Sequence, residues 1–462
     1  MPFLTKKLTI TLINQVLLPS TMASITIKCK SPVTGRVPTN ESPCKDTDLC
    51  RTVHWSFMVE THRPLRVLYV DHTAKLSGGE IALLNLLRVI DRSAVEPHVL
   101  LFSKGPLQSL LTDSSVTTHL LEMDNEVLET RKESLGVNSI FKLKKIELVV
   151  SQIWKVFKFI RENKIDIVHT NSLKSDVIAG ISAKLAGVPL IWHIRDRIDG
   201  DYLPAKVAST FKLSAKIIPD LVIANSYATL SSLNDNQVKT NGHEIVVHDG
   251  TPLAQALLHR QMSKRKDGNT TIGIIGRISP WKGQHIFLQA AQQINRQFPE
   301  VRFKIVGSAM FDEQAYEKQI RQLATDLLLD EVVEFTGFRE DVAQVLDELD
   351  IVVHASTTGE PFGQVIVEAM SAGRPVVATN GGGVPEIVNS QSVGLLVPMN
   401  NADAITEALK RLISDPNYAS TLGEAGRQHV LQNFTIEKTA RGIEQAYSKL
   451  TSTAKQTRPI HS

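Results

Sequence analysis

Two successive series of short apolar runs, each run followed by a helical pattern, constrain the fold of this 462-residue chain most strongly. Apolar strands that alternate with helices are typical of parallel sheets covered by helices on both faces. The sequence therefore predicts an α/β fold with two doubly wound domains in succession. The predicted strands are 66–71, 98–102, 166–170, 189–195, 221–226 and 244–248 in the first series, and 271–277, 302–307, 332–337, 350–356, 375–379 and 394–398 in the second.

Chain length and composition agree with two globular domains. With 42% hydrophobic and 21% charged residues the composition is that of an ordinary globular protein, and the chain is too long for a single core. A polar, basic segment at 250–268 separates the two series, and we place the hinge there. We predict a first domain at 64–255, a second at 256–430, and a C-terminal helix followed by a tail at 431–462.

The first 63 residues differ from the rest, because Pro, Ser and Thr are scattered through them without a sustained period. Lys6 and Lys7 precede a semi-apolar stretch, as in a weak signal peptide. A disordered extension, or a start codon assigned too early, is the favoured interpretation, because nothing downstream requires export. Cys29, Cys44 and Cys50 lie in this segment, and their spacings match no common zinc-binding pattern, so we predict no metal site.

Charge and hydropathy argue against two classes of protein, dedicated nucleic-acid binders and membrane-spanning proteins. A net charge of +3 is small for a dedicated nucleic-acid binder, and no segment has the roughly 18 to 20 apolar residues that span a bilayer. Segment 131–164 is nevertheless basic, with a helical apolar stripe that we expect to pack in the core. Its basic face is either simply solvated or attracted to anionic membrane lipid. The stripe consists of Ile146, Val149, Val150, Ile153, Phe157 and Ile160.

Two cations follow the first predicted strand of the second domain, in the segment GRISPWKG. Arg277 and Lys282 are therefore expected at the carboxyl edge of a parallel sheet, where doubly wound folds bind ligands. Two cations beside the N-terminus of a helix suit a diphosphate. The alternative is that both side chains are simply solvated, as charged residues on turns usually are.

The segment EPFGQVIVE, residues 360–368, contains two carboxylates. Glu360 is expected in the loop after a strand and Glu368 within the following helix. Either they contact a ligand, or Glu360 is a helix-dipole partner and Glu368 a surface residue. The apolar neighbours of Glu368 argue against the surface interpretation, because an unpaired carboxylate in a buried helix is costly. The amides at the start of this helix can hydrogen-bond a phosphate or sugar oxygen, and they belong to Phe362, Gly363 and Gln364.

Glycines and a histidine follow other predicted strands. Gly78 and Gly79 lie between a strand and a helix, but without the GxGxxG spacing, which disfavours an NAD-dependent oxidoreductase. The segment GGGVPEIV, 381–388, either presents amides to a ligand or forms only a tight turn. His193, at the end of a strand, is a proton donor, a positioner of the acceptor or a structural residue.

Five segments in this order, GRISPWKG, VGSAM, EFTGFREDV, EPFGQVIVEAMSAGRPVVAT and GGGVPEIV, resemble the carboxyl-terminal half of a family four glycosyltransferase. The resemblance covers about residues 66–450 and implies the GT-B architecture, two facing Rossmann-like domains with a cleft between them. It also implies that the C-terminal helix, in 431–462, crosses back to the first domain. It implies a retaining, metal-independent enzyme without a cofactor. Such an enzyme moves a sugar from a nucleotide-diphosphate sugar to a polysaccharide, lipid-linked or small-molecule acceptor, as in cell-envelope polysaccharide biosynthesis. We expect a cytoplasmic protein, or one held peripherally at the cytoplasmic face of a membrane.

The resemblance also implies residue roles in the second domain. Residues in the positions of Arg277 and Lys282 neutralise the donor diphosphate. Glu360 faces the donor sugar, Glu368 holds the nucleotide ribose, and backbone groups of Phe362 and Gly363 contact the sugar or phosphate.

Three further features follow from the same resemblance. Backbone groups near Gly337 and Phe338 contact the base, and Gly78 and Gly79 match a glycine loop that closes on the phosphates. His193 resembles a first-domain histidine near the reacting sugar. The alternatives are an epimerase of the same architecture, a phosphorylase, which the absence of an evident pyridoxal-phosphate lysine context disfavours, and a catalytically silent sugar-nucleotide-binding protein.

Overall fold

The computed structural model describes residues 23–25, 55–57, 63–123, 139–199, 203–235, 242–256, 269–310 and 313–457. The chain divides into two units, Met1–Arg63 and Pro64–Ser462. In the first unit, strands β1 (Ala23–Ile25) and β2 (Trp55–Phe57) pair in antiparallel fashion. The three cysteines, and the other residues on which the expectations for this segment rest, lie outside the described part of the chain.

A parallel sheet in the first half of the second unit contains seven described strands in the order β5-β4-β3-β6-β7-β8-β9. Six of them coincide with predicted strands. The sequence did not predict β5, because its four residues, TTHL, lack an apolar run and none of them is fully buried. The strands are β3 (Leu65–Asp71), β4 (Val95–Leu101), β5 (Thr117–Leu120), β6 (Ile167–Thr170), β7 (Leu190–Ile194), β8 (Leu221–Ala224) and β9 (Glu244–Val246).

Helices cover both faces of this sheet. Val67 and Tyr69 pack in one core and Leu68 and Val70 in the other, as the alternation of side chains along a strand requires. The sheet is therefore buried on both faces, as the continuous apolar runs predicted. The helices are α1 (Gly78–Val89), α2 (Pro106–Asp113), α3 (Ser139–Glu162), α4 (Leu173–Ala186), α5 (Ala205–Ile217) and α6 (Tyr227–Leu233).

Helix α3 is packed differently from the prediction. Val149 and Ile153 lie against the core as expected, but Ile146 and Val150 are 57% and 58% exposed, so their assignment to the core is wrong. Trp154, four residues further on, is 62% exposed. The apolar face of α3 is wider than the part of the helix that packs against the core. Ile146, Val150 and Trp154, spaced by four residues along one side of this face, therefore remain exposed.

The second sheet contains six described strands in the order β12-β11-β10-β13-β14-β15, all at predicted positions and all parallel. These strands are β10 (Thr271–Ile275), β11 (Arg302–Val306), β12 (Val333–Gly337), β13 (Ile351–His354), β14 (Val376–Thr379) and β15 (Leu395–Val397). Their helices are α7 (Leu253–Ala256), α8 (Gln284–Asn295), α9 (Gln314–Asp326), α10 (Val342–Asp347), α11 (Gln364–Ser371), α12 (Val384–Ile387), α13 (Ala402–Ser414) and α14 (Pro416–Asn433).

The last helix, α15 (Ile436–Thr457), returns to the first sheet. Ile443 and Tyr447 are buried in the core between that sheet and α1. Glu444 accepts a hydrogen bond from the backbone N–H of Asp91 at 2.9 Å. The C-terminal segment therefore ties the second half of the chain to the first. Residues 257–268, most of the predicted hinge, lie outside the described residues.

Candidate active site

The carboxyl edges of the two sheets meet where α6 contacts the loops after β13 and β14. The hydroxyl of Ser226 donates to the carbonyl of Pro361 at 2.5 Å. The carboxylate of Glu386 accepts hydrogen bonds from the backbone N–H groups of Tyr227 and Ala228 at 2.9 and 2.8 Å. Ligands of doubly wound folds bind outside the carboxyl ends of the strands. The cleft between the two edges is therefore the candidate site.

Glu360 lies at this edge and is only 7% exposed. The ammonium Nζ of Lys282 and the hydroxyl of Ser356 each lie 2.8 Å from its carboxylate, and Nε2 of His354 lies at 3.2 Å. Burial by itself raises the pKa of Glu360, but the charge of Lys282 and the contact with His354 outweigh it and hold that pKa well below its usual range. The site therefore contains a buried carboxylate that stays ionised.

The glycine-rich segment after β14 packs directly against Glu360. The backbone N–H of Gly383 donates to the carbonyl of Glu360 at 2.8 Å. Gly382 has φ +62°, and a Cβ there would lie 1.9 Å from the same carbonyl oxygen. Glycine is therefore required at 382 for the close approach of the two loops. The segment has at least this structural role, whether or not it also contacts a ligand.

Lys282 ends a short 3₁₀ turn between β10 and α8. Its ammonium lies 4.2 Å from the centroid of the Trp281 ring, and the Trp281 carbonyl accepts the backbone N–H of Thr357 at 2.8 Å. This bond ties the turn to the loop that carries Glu360. Arg277, the other predicted cation, also lies beside Trp281, with its Cζ 5.9 Å from the ring centroid. Its Nε lies 3.2 Å from the carboxylate of Glu313.

Helix α11 begins just after Glu360. Its N-cap is Gly363, with φ +118°, which favours glycine. Phe362 is 2% exposed and packs against the ring of His248 at 5.6 Å, so only its backbone can reach a ligand. One turn further on, burial raises the pKa of Glu368 to about 7, although Gln364 donates a hydrogen bond to it. Glu368 can therefore change charge near neutral pH.

Gly337 ends β12 and Phe338 follows it, at the same edge of the second sheet. Gly337 has φ +71°, and its carbonyl accepts the backbone N–H of Gly307 at 2.9 Å. The ring of Phe338 is 53% exposed. An exposed ring at this position offers a flat apolar face to a planar ligand group.

A polar network that the sequence reasoning missed lies at the edge of the first sheet. Arg195 Nε lies 3.2 Å from both carboxylate oxygens of Asp249, and the two side chains are 7% and 6% exposed. Asn171 accepts a hydrogen bond from Arg195 and donates to Asp71 at 2.6 Å and to the Gly79 carbonyl at 3.3 Å. Each of these polar residues follows or ends an apolar run. A polar residue in that position of a predicted strand is the sequence signal that could have identified them.

The two predicted glycines of the first domain lie in the first turn of α1, after the N-cap Ser77. Gly78 is exposed and Gly79 is half-buried. A Cβ on Gly79 would lie 3.8 Å from the side chain of Arg195. The glycines therefore adjoin the polar network at the edge of the first sheet.

His193 is fully buried near the end of β7. Its Nδ1 lies 3.1 Å from Nε2 of His169, and its own Nε2 has no hydrogen-bond partner among the described residues. Burial and the charge of Arg195 lower the pKa of His193 well below its usual range, so the ring is neutral. The contacts of His193 lie within the first sheet, whereas Glu360 and Lys282 lie at the edge of the second.

The described part of the chain contains neither a cluster of possible metal ligands nor a helix suited to cross a bilayer. Within it, no three His, Cys, Asp or Glu side chains are grouped so that they could hold a metal ion. No helix within the same residues is both long enough and apolar enough to cross a bilayer.

Comparisons with known proteins match both halves of the chain. Residues 76–262 match the family model Glycosyltransferase Family 4, and residues 257–429 match Glycosyl transferases group 1. The chain is 24% identical over 409 residues to the UDP-Gal:alpha-D-GlcNAc-diphosphoundecaprenol alpha-1,3-galactosyltransferase of Escherichia coli, covering 84% of this chain and 98% of that relative. A GDP-mannose-dependent phosphatidylinositol monomannoside mannosyltransferase of Corynebacterium glutamicum is 36% identical over 179 residues, covering 37% of this chain and 45% of the relative.

Solved structures support the same architecture. HepE of Anabaena in complex with UDP-glucose superposes with a TM-score of 0.69 at 26% identity, covering 83% of this chain and all of that one. Sucrose-phosphate synthase of Thermosynechococcus elongatus, with a TM-score of 0.65 at 21% identity and 84% of this chain covered, supports the fold alone. The predicted GT-B fold is confirmed.

Proposed function

Because the chain belongs to the glycosyltransferases whose two domains match the family 4 and group 1 models, we propose that it transfers a hexose from a nucleoside diphosphate sugar with retention of configuration. The observation that carries this proposal is the buried pair of Lys282 and Glu360, 2.8 Å apart at the carboxyl edge of the second sheet. In this pair, the Lys282 cation is suited to bind the departing diphosphate, and the ionised Glu360 carboxylate is suited to face the sugar.

The donor we propose is a UDP-hexose. HepE, which aligns over its whole length, is solved with UDP-glucose, and the galactosyltransferase that aligns over 98% of its length uses UDP-Gal by name. The ring of Phe338, 53% exposed, would stack on the base. Glu368 would accept hydrogen bonds from the ribose hydroxyls, and backbone groups near Gly337 would contact the base edge.

Cleavage of the sugar–diphosphate bond builds negative charge on the leaving group. Lys282 and Arg277, together with the amides of residues 362–364 at the start of α11, would stabilise that charge more in the transition state than in the ground state. The backbone at Gly78 and Gly79 would close on the phosphates from the other domain. Fixed cations would thus fill the role that a divalent metal has elsewhere, and no cofactor is needed.

Retention follows if the acceptor hydroxyl attacks from the face of the departing diphosphate. In that step the acceptor oxygen forms a bond to the anomeric carbon, and the bond between the anomeric carbon and the phosphate oxygen breaks. The proton of the acceptor hydroxyl passes to the leaving phosphate. The anomeric carbon gains positive charge, which the carboxylate of Glu360 would stabilise. His193, in the first domain, would lie close to the reacting sugar.

The acceptor we propose is a lipid-linked sugar, with the protein held at the cytoplasmic face of a membrane. Helices α3 and α4 pack against each other, as the hydroxyl of Ser182 donates to the Ile153 carbonyl at 2.9 Å. Both expose apolar residues spaced by four, next to the exposed Lys155 and Lys158. An apolar surface beside lysines suits an anionic bilayer. The apolar residues are Ile146, Val150, Trp154, Val177, Ile181 and Leu185, between 37% and 62% exposed.

The decisive experiment for the transfer reaction has two stages. Purified protein is screened for thermal stabilisation by UDP-, GDP- and ADP-sugars, because a bound donor raises stability, and the best donor is then offered with lipid-diphosphate acceptors. Glu360→Gln and Lys282→Met should each lower transfer at least about 100-fold, and NMR of the product should show the anomeric configuration of the donor. An epimerase would instead convert the donor without any acceptor.

Lys304→Met is the matched control. Lys304 is 17% exposed and pairs with Glu348 at 2.7 Å, whereas Lys282 is 18% exposed and pairs at 2.8 Å. Lys304 lies within β11, so its loss should leave transfer unchanged. Wild-type rates in the Glu360 and Lys282 variants would contradict the proposed site.

The membrane surface has its own test. Trp154→Ser/Leu185→Ser should lower co-sedimentation with phosphatidylglycerol vesicles several-fold and leave transfer to a soluble acceptor analogue unchanged. The control is Leu328→Ser, because Leu328 is 84% exposed but lies after α9 in the second domain. Equal vesicle binding by wild type and the double variant would refute the proposed surface.

A further inference from the structure

A buried series of four polar side chains leads from the last helix to His193. The hydroxyls of Tyr69 and Tyr447 lie 2.7 Å apart, and that of Tyr447 lies 2.7 Å from Nδ1 of His169. Nε2 of His169 lies 3.1 Å from Nδ1 of His193. None of the four residues is more than 1% exposed. Water therefore does not compete for these hydrogen bonds.

The series runs toward the cleft. His169 on β6 is in register with Tyr69 on β3 and with Ile191 on β7. His193 is two residues further along β7, on the same face and nearer to the carboxyl edge, where Arg195 lies. Tyr447 comes from α15, so the series exists only because that helix crosses back. Nε2 of His193 lies on the side of the ring that faces away from His169.

The directions of these hydrogen bonds follow from the charge state of the two rings and from the hydroxyl of Tyr447, which donates to that of Tyr69. Burial, together with the charge of Arg195, lowers the pKa of His169 to about 3 and that of His193 well below its usual range. Both rings are therefore neutral, and each carries one N–H. Tyr447 donates its proton to Tyr69, so its oxygen accepts from the Nδ1–H of His169.

The direction of the Tyr447–Tyr69 hydrogen bond also sets the tautomer of His193. Because the proton of His169 is on Nδ1, its Nε2 has a lone pair and accepts from the Nδ1–H of His193. Nε2 of His193 therefore also has a lone pair. This atom has no partner within the described residues, and a buried acceptor without a partner is costly unless a bound group supplies a proton.

We propose that Tyr447 and His169 are positioning residues, which hold His193 in the Nδ1–H tautomer so that its Nε2 accepts a hydrogen bond from a sugar hydroxyl. The proposal rests on the sugar transfer proposed above and deepens it. A hydroxyl of the transferred hexose can donate to this atom, whereas an unprotonated phosphate oxygen cannot. The cleft thereby favours the sugar end of the donor at His193 and disfavours its diphosphate.

Histidine NMR of the full chain, labelled with ¹³C and ¹⁵N, tests the tautomers directly, with His169→Gln and His193→Gln used for assignment. Wild-type His169 and His193 should both show the Nδ1–H form. Tyr447→Phe should raise the Nε2–H population of both rings and lower kcat about 10- to 100-fold, the range found when a metal-bound histidine loses the partner that orients it. Affinity for UDP, which has no sugar, should stay within about twofold, and a merely structural role of Tyr447 would lower it.

A second variant should exchange donor and acceptor in the hydrogen bonds that lead from Tyr447 to His193. Tyr69→Phe removes the acceptor of the Tyr447 proton, which can then be donated to Nδ1 of His169. Every bond in the series would reverse, and His193 would change to the Nε2–H form. This variant also decides the question if Tyr447→Phe does not fold.

Tyr316→Phe is the matched control. It removes a tyrosine hydroxyl 2.8 Å from Nδ1 of His285 in the second domain, and it should change neither the tautomers nor kcat. An Nε2–H form of wild-type His193, or unchanged tautomers and kcat in both Tyr447→Phe and Tyr69→Phe, would overturn the inference. If wild type transfers no sugar, the proposed function fails, but the tautomers still decide whether Tyr447 orients His193.

Discussion

Replacement of Lys282 by methionine removes the cation from a nearly buried ion pair. The side chains of Lys282 and Glu360 are 18% and 10% exposed, with 2.8 Å between the charged groups. Loss of one partner from a buried pair typically costs about 3 to 5 kcal/mol, because the other charge remains buried without compensation. Ser356 and His354 still contact Glu360, so we expect the lower end, about 3 kcal/mol.

The assay is thermal unfolding at pH 7.5 without donor. A domain of 150 to 250 residues loses about 2 to 4 °C per kcal/mol, so the second domain of Lys282→Met should unfold about 6 to 12 °C below wild type. Lys282→Met/Glu360→Gln should recover at least half of this loss, because no buried charge remains. Lys304→Met should lose no more than about 1 kcal/mol, since its partners Glu334 and Glu348 are 60% and 28% exposed.

The pH dependence of thermal stability is an independent test of the Lys282–Glu360 ion pair. In wild type the pKa of Glu360 is lowered by folding, so its contribution to stability is present above its unfolded pKa of about 4.3 and is lost as the pH falls through the folded value. Without Lys282, burial should raise that pKa above the unfolded value. The penalty in Lys282→Met is then largest at pH 7 to 8 and should shrink toward pH 5.

Two results would refute this reasoning. One is a Lys282→Met variant that unfolds within about 2 °C of wild type, which corresponds to less than about 1 kcal/mol. The other is a double variant that is no more stable than Lys282→Met alone. Either would mean that the carboxylate of Glu360 does not depend on Lys282 for its charge compensation.

Two further predictions concern carboxylates at the cleft. Because burial raises the pKa of Glu368 to about 7, affinity for UDP-glucose should rise with pH through 7 as the carboxylate forms. In Glu368→Gln this dependence should disappear, with about tenfold weaker binding at pH 8 by calorimetry; an unchanged slope would argue against the ribose contact. Glu386→Ala leaves two backbone N–H groups of α6 without their acceptor and should cost about 1 to 2 kcal/mol in thermal unfolding. The control is Glu407→Ala on the exposed face of α13, and equal unfolding temperatures of the two variants would contradict the capping role.

The strands show how much of the fold can be predicted from local sequence patterns. Buried parallel strands such as β10 and β13 are continuous apolar runs, so their positions are readable from a few residues. Strand β5 was missed, because Thr117–Leu120 is largely polar and pairs only at the edge of the sheet. The exposed Ile146 and Val150 on α3 were misassigned for a related reason: periodicity identifies an apolar arc, but not how much of it the core covers.

By itself the sequence determined the two doubly wound sheets and the strand ends that carry Lys282, Glu360 and His193, because hydrophobic periodicity and turn residues act over short distances along the chain. Only the tertiary structure decided what surrounds those residues. Lys282 reaches Glu360 across 78 positions, and Tyr447 reaches His169 across 278. Such contacts depend on strand order and on the return of α15 to the first sheet. No local pattern contains that information, since side chains far apart in sequence meet only when whole elements pack together.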